Sequence, residues 1–200
     1  MTTHRLRRGL LTQEQFAALS QSLVAEVHRL HALIDDDEDD DGALENVAES
    51  FDLLDVVTPV VVCARANGLL VQVDIPPATI VKGSPEGTAQ VVAGLLANAR
   101  RHAPGSPVTL RVVHGDSRGV VLSVGDHGPG IPEIEREHIF ERGVSTHPDG
   151  SGLGLHVARR LMDRQGGSIS LATPSDDACG ATFQLRFDAS GPWPLAGSVP

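Results

Sequence analysis

Two glycine-rich segments in fixed order constrain this chain more than any other feature. Asp126-His127-Gly128-Pro129-Gly130-Ile131-Pro132 comes first, and Gly150-Ser151-Gly152-Leu153-Gly154-Leu155 follows at the head of a helical pattern. Glycines let backbone approach a ligand closely, and a glycine-rich helix start aims N–H groups at phosphate. An Asp beside the first cluster can accept a hydrogen bond from the exocyclic amine of adenine. One such segment alone is weak evidence, whereas two in order read as a nucleotide site.

The remaining bulk properties narrow the classes. Two hundred residues suffice for one globular domain with a sizeable core and an N-terminal helical extension. With 16 Lys+Arg against 26 Asp+Glu the formal charge is -10, of which the run Asp35-Asp36-Asp37-Glu38-Asp39-Asp40-Asp41 supplies seven negative charges. The only local basic cluster is Arg5, Arg7 and Arg8, so no nucleic-acid partner is expected. Cys63 and Cys179 match no metal or redox spacing and read as reduced, packed thiols of a cytosolic protein. The clean apolar run Val60 to Ala64 falls far short of the roughly 20 residues of a membrane helix, and the N-terminus lacks the apolar segment of a secretory signal. A cytoplasmic protein with no membrane span of its own is the expectation.

Along the chain, Thr12 and Gln15 form a capping box, followed by apolar residues at Phe16, Leu19, Leu23, Val27, Leu30 and Ile34 on one helical stripe. This stripe packs on its own domain or on a partner helix, and residues 1–34 are read as a partial dimerisation or partner helix. His28 and His31 on it read as solvated helix residues. The acidic run ends the helix, because adjacent like charges repel, and gives a solvated linker over 35–44. A divalent-metal tract is the alternative reading of the run.

A domain is expected over 45–187. Phe51 to Ala66 has helical character, with Pro59 expected to shorten or kink it. Leu69 to Ile75 reads as a strand, a short strand follows near Ile80 to Lys82, and a helix runs from about Glu86 to His102. Val108 to Val113, a turn through Gly115 to Gly119, and Val120 to Val124 make a hairpin that delivers Asp126 to a strand end. A loop over 133–150 carries a helical turn near Ile139-Phe140. The helix Leu155 to Gln165 is stopped by Gly166-Gly167, and a last hairpin pairs Ser168 to Thr173 with Ala181 to Phe187. The tail 188–200 is rich in Gly, Pro and Ser and reads as disordered. Helices, strands and hairpins in this order predict an α/β (α+β) two-layer sandwich, a mixed sheet with helices on one face, preceded by the N-terminal amphipathic helix.

Four blocks in order resemble the ATP-binding catalytic domain of sensor histidine kinases, within the gyrase-, Hsp90- and MutL-like ATPases. Leu95-Leu96-Ala97-Asn98-Ala99-Arg100-Arg101-His102 resembles the N box and Asp126 to Pro132 the G1 box. Ile139-Phe140-Glu141-Arg142-Gly143 resembles the F box and Gly150 to Leu155 the G2 box. The resemblance implies ATP with Mg²⁺, the metal bound by Asn98 and bridging phosphate oxygens, and Arg101 reaching phosphate as a cation. It places His102 near the nucleotide where the family usually has an aromatic residue, and a merely structural His is the alternative. Asp126 would take the adenine amine, Gly128, Gly130 and Ile131 would shape the adenine pocket, and Gly150, Gly152, Leu153, Gly154 and Leu155 would bring backbone to the phosphates. The segment from Glu141 to Gly150 stands where the family has its mobile ATP lid, and Arg142, Ser145 and Thr146 would touch phosphates when it closes.

Two departures matter. The start Thr3-His4-Arg5-Leu6-Arg7-Arg8-Gly9-Leu10 is only a damaged version of the family's phosphoacceptor motif. Arg5 stands in place of the acidic residue that would orient or deprotonate His4, and the neighbouring cations disfavour a protonated imidazole. Gly94 stands where the family carries Asn or Glu, which removes a side chain that would help hold metal or activate the attacking group. That loss matters less for a histidine acceptor, with its unperturbed pKa of about 6.5, than for water, so ATP hydrolysis is expected to be weak. The resemblance therefore implies a protein-histidine kinase subunit of a two-component system acting on a histidine-containing phosphoacceptor/dimerisation partner, with a response regulator downstream. The rivals are a nucleotide-sensing module without transfer and an anti-sigma-type serine kinase.

Overall fold

The computed structural model describes residues 49–116, 119–145, 151–172 and 180–188. The expected N-terminal helix, the acidic linker, His4, Thr146, Gly150 and nearly all of the tail lie outside them.

The first elements are a short strand, β1 (Glu49–Asp52), and a helix, α1 (Leu53–Ala66). Asp52 caps the helix: its extended backbone lets Oδ1 accept from the Leu54 N–H at 2.9 Å. Leu53, Val57 and Val61, spaced by four, are buried along one side. The helix runs all 14 residues through Pro59 instead of stopping there. Pro59 lies on the exposed side, where the carbonyl that loses its partner is open to solvent, while the buried stripe holds the other side. β1 itself was not anticipated.

The second carboxylate oxygen of Asp52 accepts from the Ala78 N–H at 2.9 Å, and Ala78 has the positive φ of 58°. One side chain thus ties the α1 start to a turn 26 residues away. Asp52→Ala is expected to cost about 1–2 kcal/mol, because it removes the cap and leaves a strained turn unheld. The urea midpoint of the purified protein measures it, and an unchanged midpoint refutes it.

After β2 (Val71–Asp74) and β3 (Ile80–Gly83) comes α2 (Pro85–His102). Ser84 caps it by accepting from Gly87 N–H at 3.0 Å, Pro85 occupies the first turn, and Glu86 favours the positive end of the helix dipole. Arg100, Arg101 and His102 complement the other end. Val91, Val92, Leu95, Leu96 and Ala99 are buried.

The hairpin is longer than the sequence suggested. β4 (Val108–Asp116) and β5 (Gly119–Asp126) pair through Gly115 and Asp116, with a register shift between Val112 and His114. α3 (Glu133–Arg136), α4 (Gly154–Arg164), β6 (Ser168–Leu171) and β7 (Thr182–Phe187) complete the described elements.

Among the described residues the strands form a five-stranded sheet, ordered β2-β4-β5-β7-β6, and a separate antiparallel pair of β1 with β3. Only β2 with β4 is parallel in the larger sheet. Its register puts Leu110, Leu122, Leu185 and Ile169 on one face, where they join α1, α2 and α4 in one core cluster. The other face carries Arg111, Ser123, Gln184 and Ser170 in the same rank, a polar row. This alternation is the two-layer sandwich with helices on one side. Each fully buried aliphatic side chain in the core contributes roughly 1.5–3 kcal/mol, and Leu53, Leu110, Leu122 and Leu185 are all at 0% exposure.

Candidate nucleotide site

β5 ends at Asp126, whose backbone N–H still bonds to Ala181 on the neighbouring chain segment at 2.9 Å. The side chain turns back on the same region: Oδ1 accepts from Gly128 N–H at 2.8 Å and from Ala181 N–H at 3.2 Å. Oδ2 accepts no hydrogen bond among the described residues, so one oxygen is anchored and the other is offered. That division of labour suits an acceptor for an amine of a flat heterocycle.

The glycines around Asp126 are there for closeness. A Cβ on Gly128 would stand 2.6 Å from the Cβ of Ala103, the buried cap of α2, so the loop after β5 lies directly on the end of the helix carrying Asn98. Gly130, at φ 76°, would place a Cβ 3.1 Å from the Gly180 carbonyl oxygen. Gly180, at φ 98°, leaves no room at all, since an added Cβ would overlap the carbonyl oxygen of Asp126. Gly180 was not singled out from sequence, where it reads as an ordinary turn residue; only cross-strand pairing puts it beside Asp126. Ile131 is half-buried against the core, and its carbonyl accepts from Arg136 Nε at 3.0 Å.

On α2, Asn98 is half-buried and its carboxamide has no hydrogen-bond partner among the described residues. Arg101 and His102 are exposed at the last turn. No group of three His, Cys, Asp or Glu side chains that could hold a metal occurs among the described residues. A divalent cation here would take one protein oxygen from Asn98 and the rest from phosphate and water, which is how Mg²⁺ is commonly held at nucleotide sites.

The start of α4 differs from those of α1 and α2. Both of these are capped by a side chain and carry an acidic residue in the first turn. α4 has no side-chain cap and no acid in its first turn, and its first residue is Gly154. Among the described residues no side chain caps its first N–H groups, an arrangement that suits an anion. Leu153 precedes them and Leu155 packs on the core. Ser151 Oγ lies at 3.4 Å from the Leu153 N–H, a weak contact.

The start of the segment expected to act as a lid is rooted beside this helix. The Phe140 ring meets Phe183 edge-on at 6.3 Å and lies under the Arg159 guanidinium at 5.6 Å. The Phe140 carbonyl sits 3.3 Å from His156 Nδ1. Gly143 N–H bonds to the Gly152 carbonyl at 3.1 Å, which joins the two ends of the segment. Gly152, at φ 67°, has no space for a Cβ against Gly143. His156 and Arg159 carry no sequence signal, since a helical His and Arg look the same when solvated. Ser145 is exposed.

Just before this segment, His138 Nδ1 and Glu141 Oε1 are 2.7 Å apart, both largely exposed. The hydrogen bond and the charge of Glu141 raise the His138 pKa above the ordinary 6.5. The pairing contribution is thus complete below the unfolded pKa and is lost as pH rises through the folded one. An NMR titration should find the His138 midpoint above that of a free imidazole, and Glu141→Gln should lower it. An unaltered midpoint in the variant would refute the pairing.

Comparison with known proteins adds to this geometry. The family described as histidine kinase-, DNA gyrase B- and HSP90-like ATPase matches residues 83–191. The signal transduction histidine-protein kinase/phosphatase MprB of Mycobacterium sp. (strain KMS) is 32% identical over 188 residues, covering 88% of this chain and 36% of that protein. The chain thus spans about a third of the length of the curated relatives it matches. Among solved structures, a mycobacterial sensor histidine kinase MprB chain aligns with a TM-score of 0.60 at 29% identity, over 70% of this chain and 97% of that one. The ATP-binding domain of PrrB from Mycobacterium tuberculosis aligns with a TM-score of 0.59 at 28% identity, over 72% and 98%.

Proposed function

Because the chain belongs to the histidine kinase-, DNA gyrase B- and HSP90-like ATPase family, we propose that it binds Mg-ATP and transfers the γ-phosphoryl group to a histidine of a partner polypeptide. The observation that carries this reading is the contrast between the capped starts of α1 and α2 and the open start of α4. The likeness to histidine kinases supports the reaction class.

In this reading Asp126 Oδ2 takes the adenine amine while Oδ1 stays on the backbone, and Gly128, Gly130 and Gly180 let the loops close around the base. The N–H groups at Gly154 and Leu155 meet the phosphates, and Arg101 adds positive charge from α2. Asn98 would hold Mg²⁺, which supplies charge neutralisation along the triphosphate. The acceptor imidazole attacks the γ-phosphorus as the bond to the ADP oxygen breaks, so the protein contributes positioning and electrostatics. The lid, rooted at Phe140 and Gly143, excludes water. The partner is a histidine-containing phosphoacceptor/dimerisation protein, and a response regulator receives the phosphoryl group next, placing the reaction in the cytoplasm. No helix of the described residues is long and apolar enough to cross a membrane.

Incubation with γ-labelled ATP and histidine-containing candidate acceptors tests the proposal. The expected product is an acid-labile, base-stable phosphate on the partner, and Asn98→Ala is expected to remove the magnesium dependence of binding and cut transfer by about a hundredfold or more. Nucleotide binding without transfer to any partner would instead make the chain a nucleotide-sensing module. One observation favours that second reading: a Cβ at Gly94, one turn before Asn98, would meet nothing within 4 Å, so packing does not require glycine where an activating side chain could stand.

A further inference from the structure

α2 and α4 carry the phosphate half of the site between them, and they pack together. What fixes one against the other is found at their far ends. Gln165, immediately after α4, is buried at 8% exposure. Its Oε1 accepts from the N–H of Ser84, the cap residue of α2, at 2.7 Å, and lies 3.4 Å from Oγ1 of the fully buried Thr88. Its Nε2 is held 3.0 Å from Met162 Sδ. Gly83 gives the carboxamide its room, because a Cβ there would overlap Oε1.

The end of α4 therefore touches the start of α2, and the two helices run in opposite senses. Asn98 lies ten residues beyond Thr88 and Gly154 eleven before Gln165, about 15 and 16 Å along the respective axes. Both phosphate-facing groups stand at the same end of the helix pair, opposite this contact. We propose that Gln165 is a positioning residue that sets the spacing between Asn98 and the open start of α4. A single oxygen satisfying a backbone N–H and facing a buried hydroxyl resists axial sliding of one helix on the other, which apolar contacts alone do not. The adenine half, built on β5 and the segment before β7, does not depend on that spacing. The inference rests on the nucleotide reading of the site.

The test compares two ligands by calorimetry: Mg-ATP, which needs both halves, and adenosine, which needs only the base half. Gln165→Leu is expected to weaken Mg-ATP binding by about tenfold, since displacements near 1 Å cost up to about a hundredfold in well-oriented sites, with adenosine affinity unchanged within twofold. Gln165→Glu keeps the accepting oxygen at a helix start that favours negative charge, and it is expected to restore Mg-ATP binding. If the Leu variant does not fold, Gln165→Asn, one methylene short of Ser84, carries the same expectation. Equal losses for both ligands, or none, would overturn the proposal. A parent protein that binds neither Mg-ATP nor adenosine would overturn the nucleotide reading instead.

Discussion

Asp126→Asn is expected to lower ATP affinity by about a hundredfold or more, since an acceptor built for one donor can discriminate by up to about 10⁴ when buried and Asp126 is half-buried. The substitution is unusually clean. Asn keeps an oxygen at the position of Oδ1, so the bonds from Gly128 and Ala181 N–H groups persist. Only the offered oxygen is replaced, and by an N–H donor that would face the donor amine of adenine. The fold should consequently stay intact, with a thermal midpoint within a few degrees of the parent, while calorimetric titration with ATP loses most of its signal. Equal affinities for parent and variant would remove Asp126 from the site.

Gly180→Ala is expected to have the largest effect on stability, about 3–5 kcal/mol. Two costs add: a left-handed backbone at φ 98° that disfavours any side chain, and a Cβ that collides with the Asp126 carbonyl. The colliding atom belongs to β5, which pairs on both sides and cannot shift alone. A fall in thermal midpoint on the order of 10 °C would follow, and ATP binding should suffer with it, because Asp126 moves when its backbone moves. A midpoint within experimental error of the parent would show that the strand ends are not packed as described.

These two residues mark the difference between what was legible in the sequence and what was not. Asp126 stood out because its glycine neighbours form a short, local pattern that needs no knowledge of pairing. Gly180 has no such neighbours, and its importance comes from the Asp126 carbonyl, 54 positions earlier in the numbering, which the β5–β7 pairing brings against it. The same distinction runs through the fold. α2 was readable because it carries an apolar stripe within its own span, and α4 because Gly166-Gly167 directly after it gives a stop signal. β1 was missed because four residues, two of them exposed, offer no alternation, and the strand exists only through its pairing with β3. Pro59 does not shorten the helix, because three buried side chains at helical spacing outweigh one lost hydrogen bond. The hairpin turn was drawn too wide because Gly115 and Gly119 look like turn residues, although both are paired within the strands.

The bond from the Gly143 N–H to the Gly152 carbonyl closes the neck of the segment between them, so that segment joins the domain at one stitched point. Its anchorage is a backbone bond plus a root at Phe140, so neither depends on which side chains the intervening residues carry. Doubling the span between the two glycines would cost only about 0.6 kcal/mol of closure entropy. Segments of other lengths are therefore expected to be accepted between these two points without rebuilding the domain beneath.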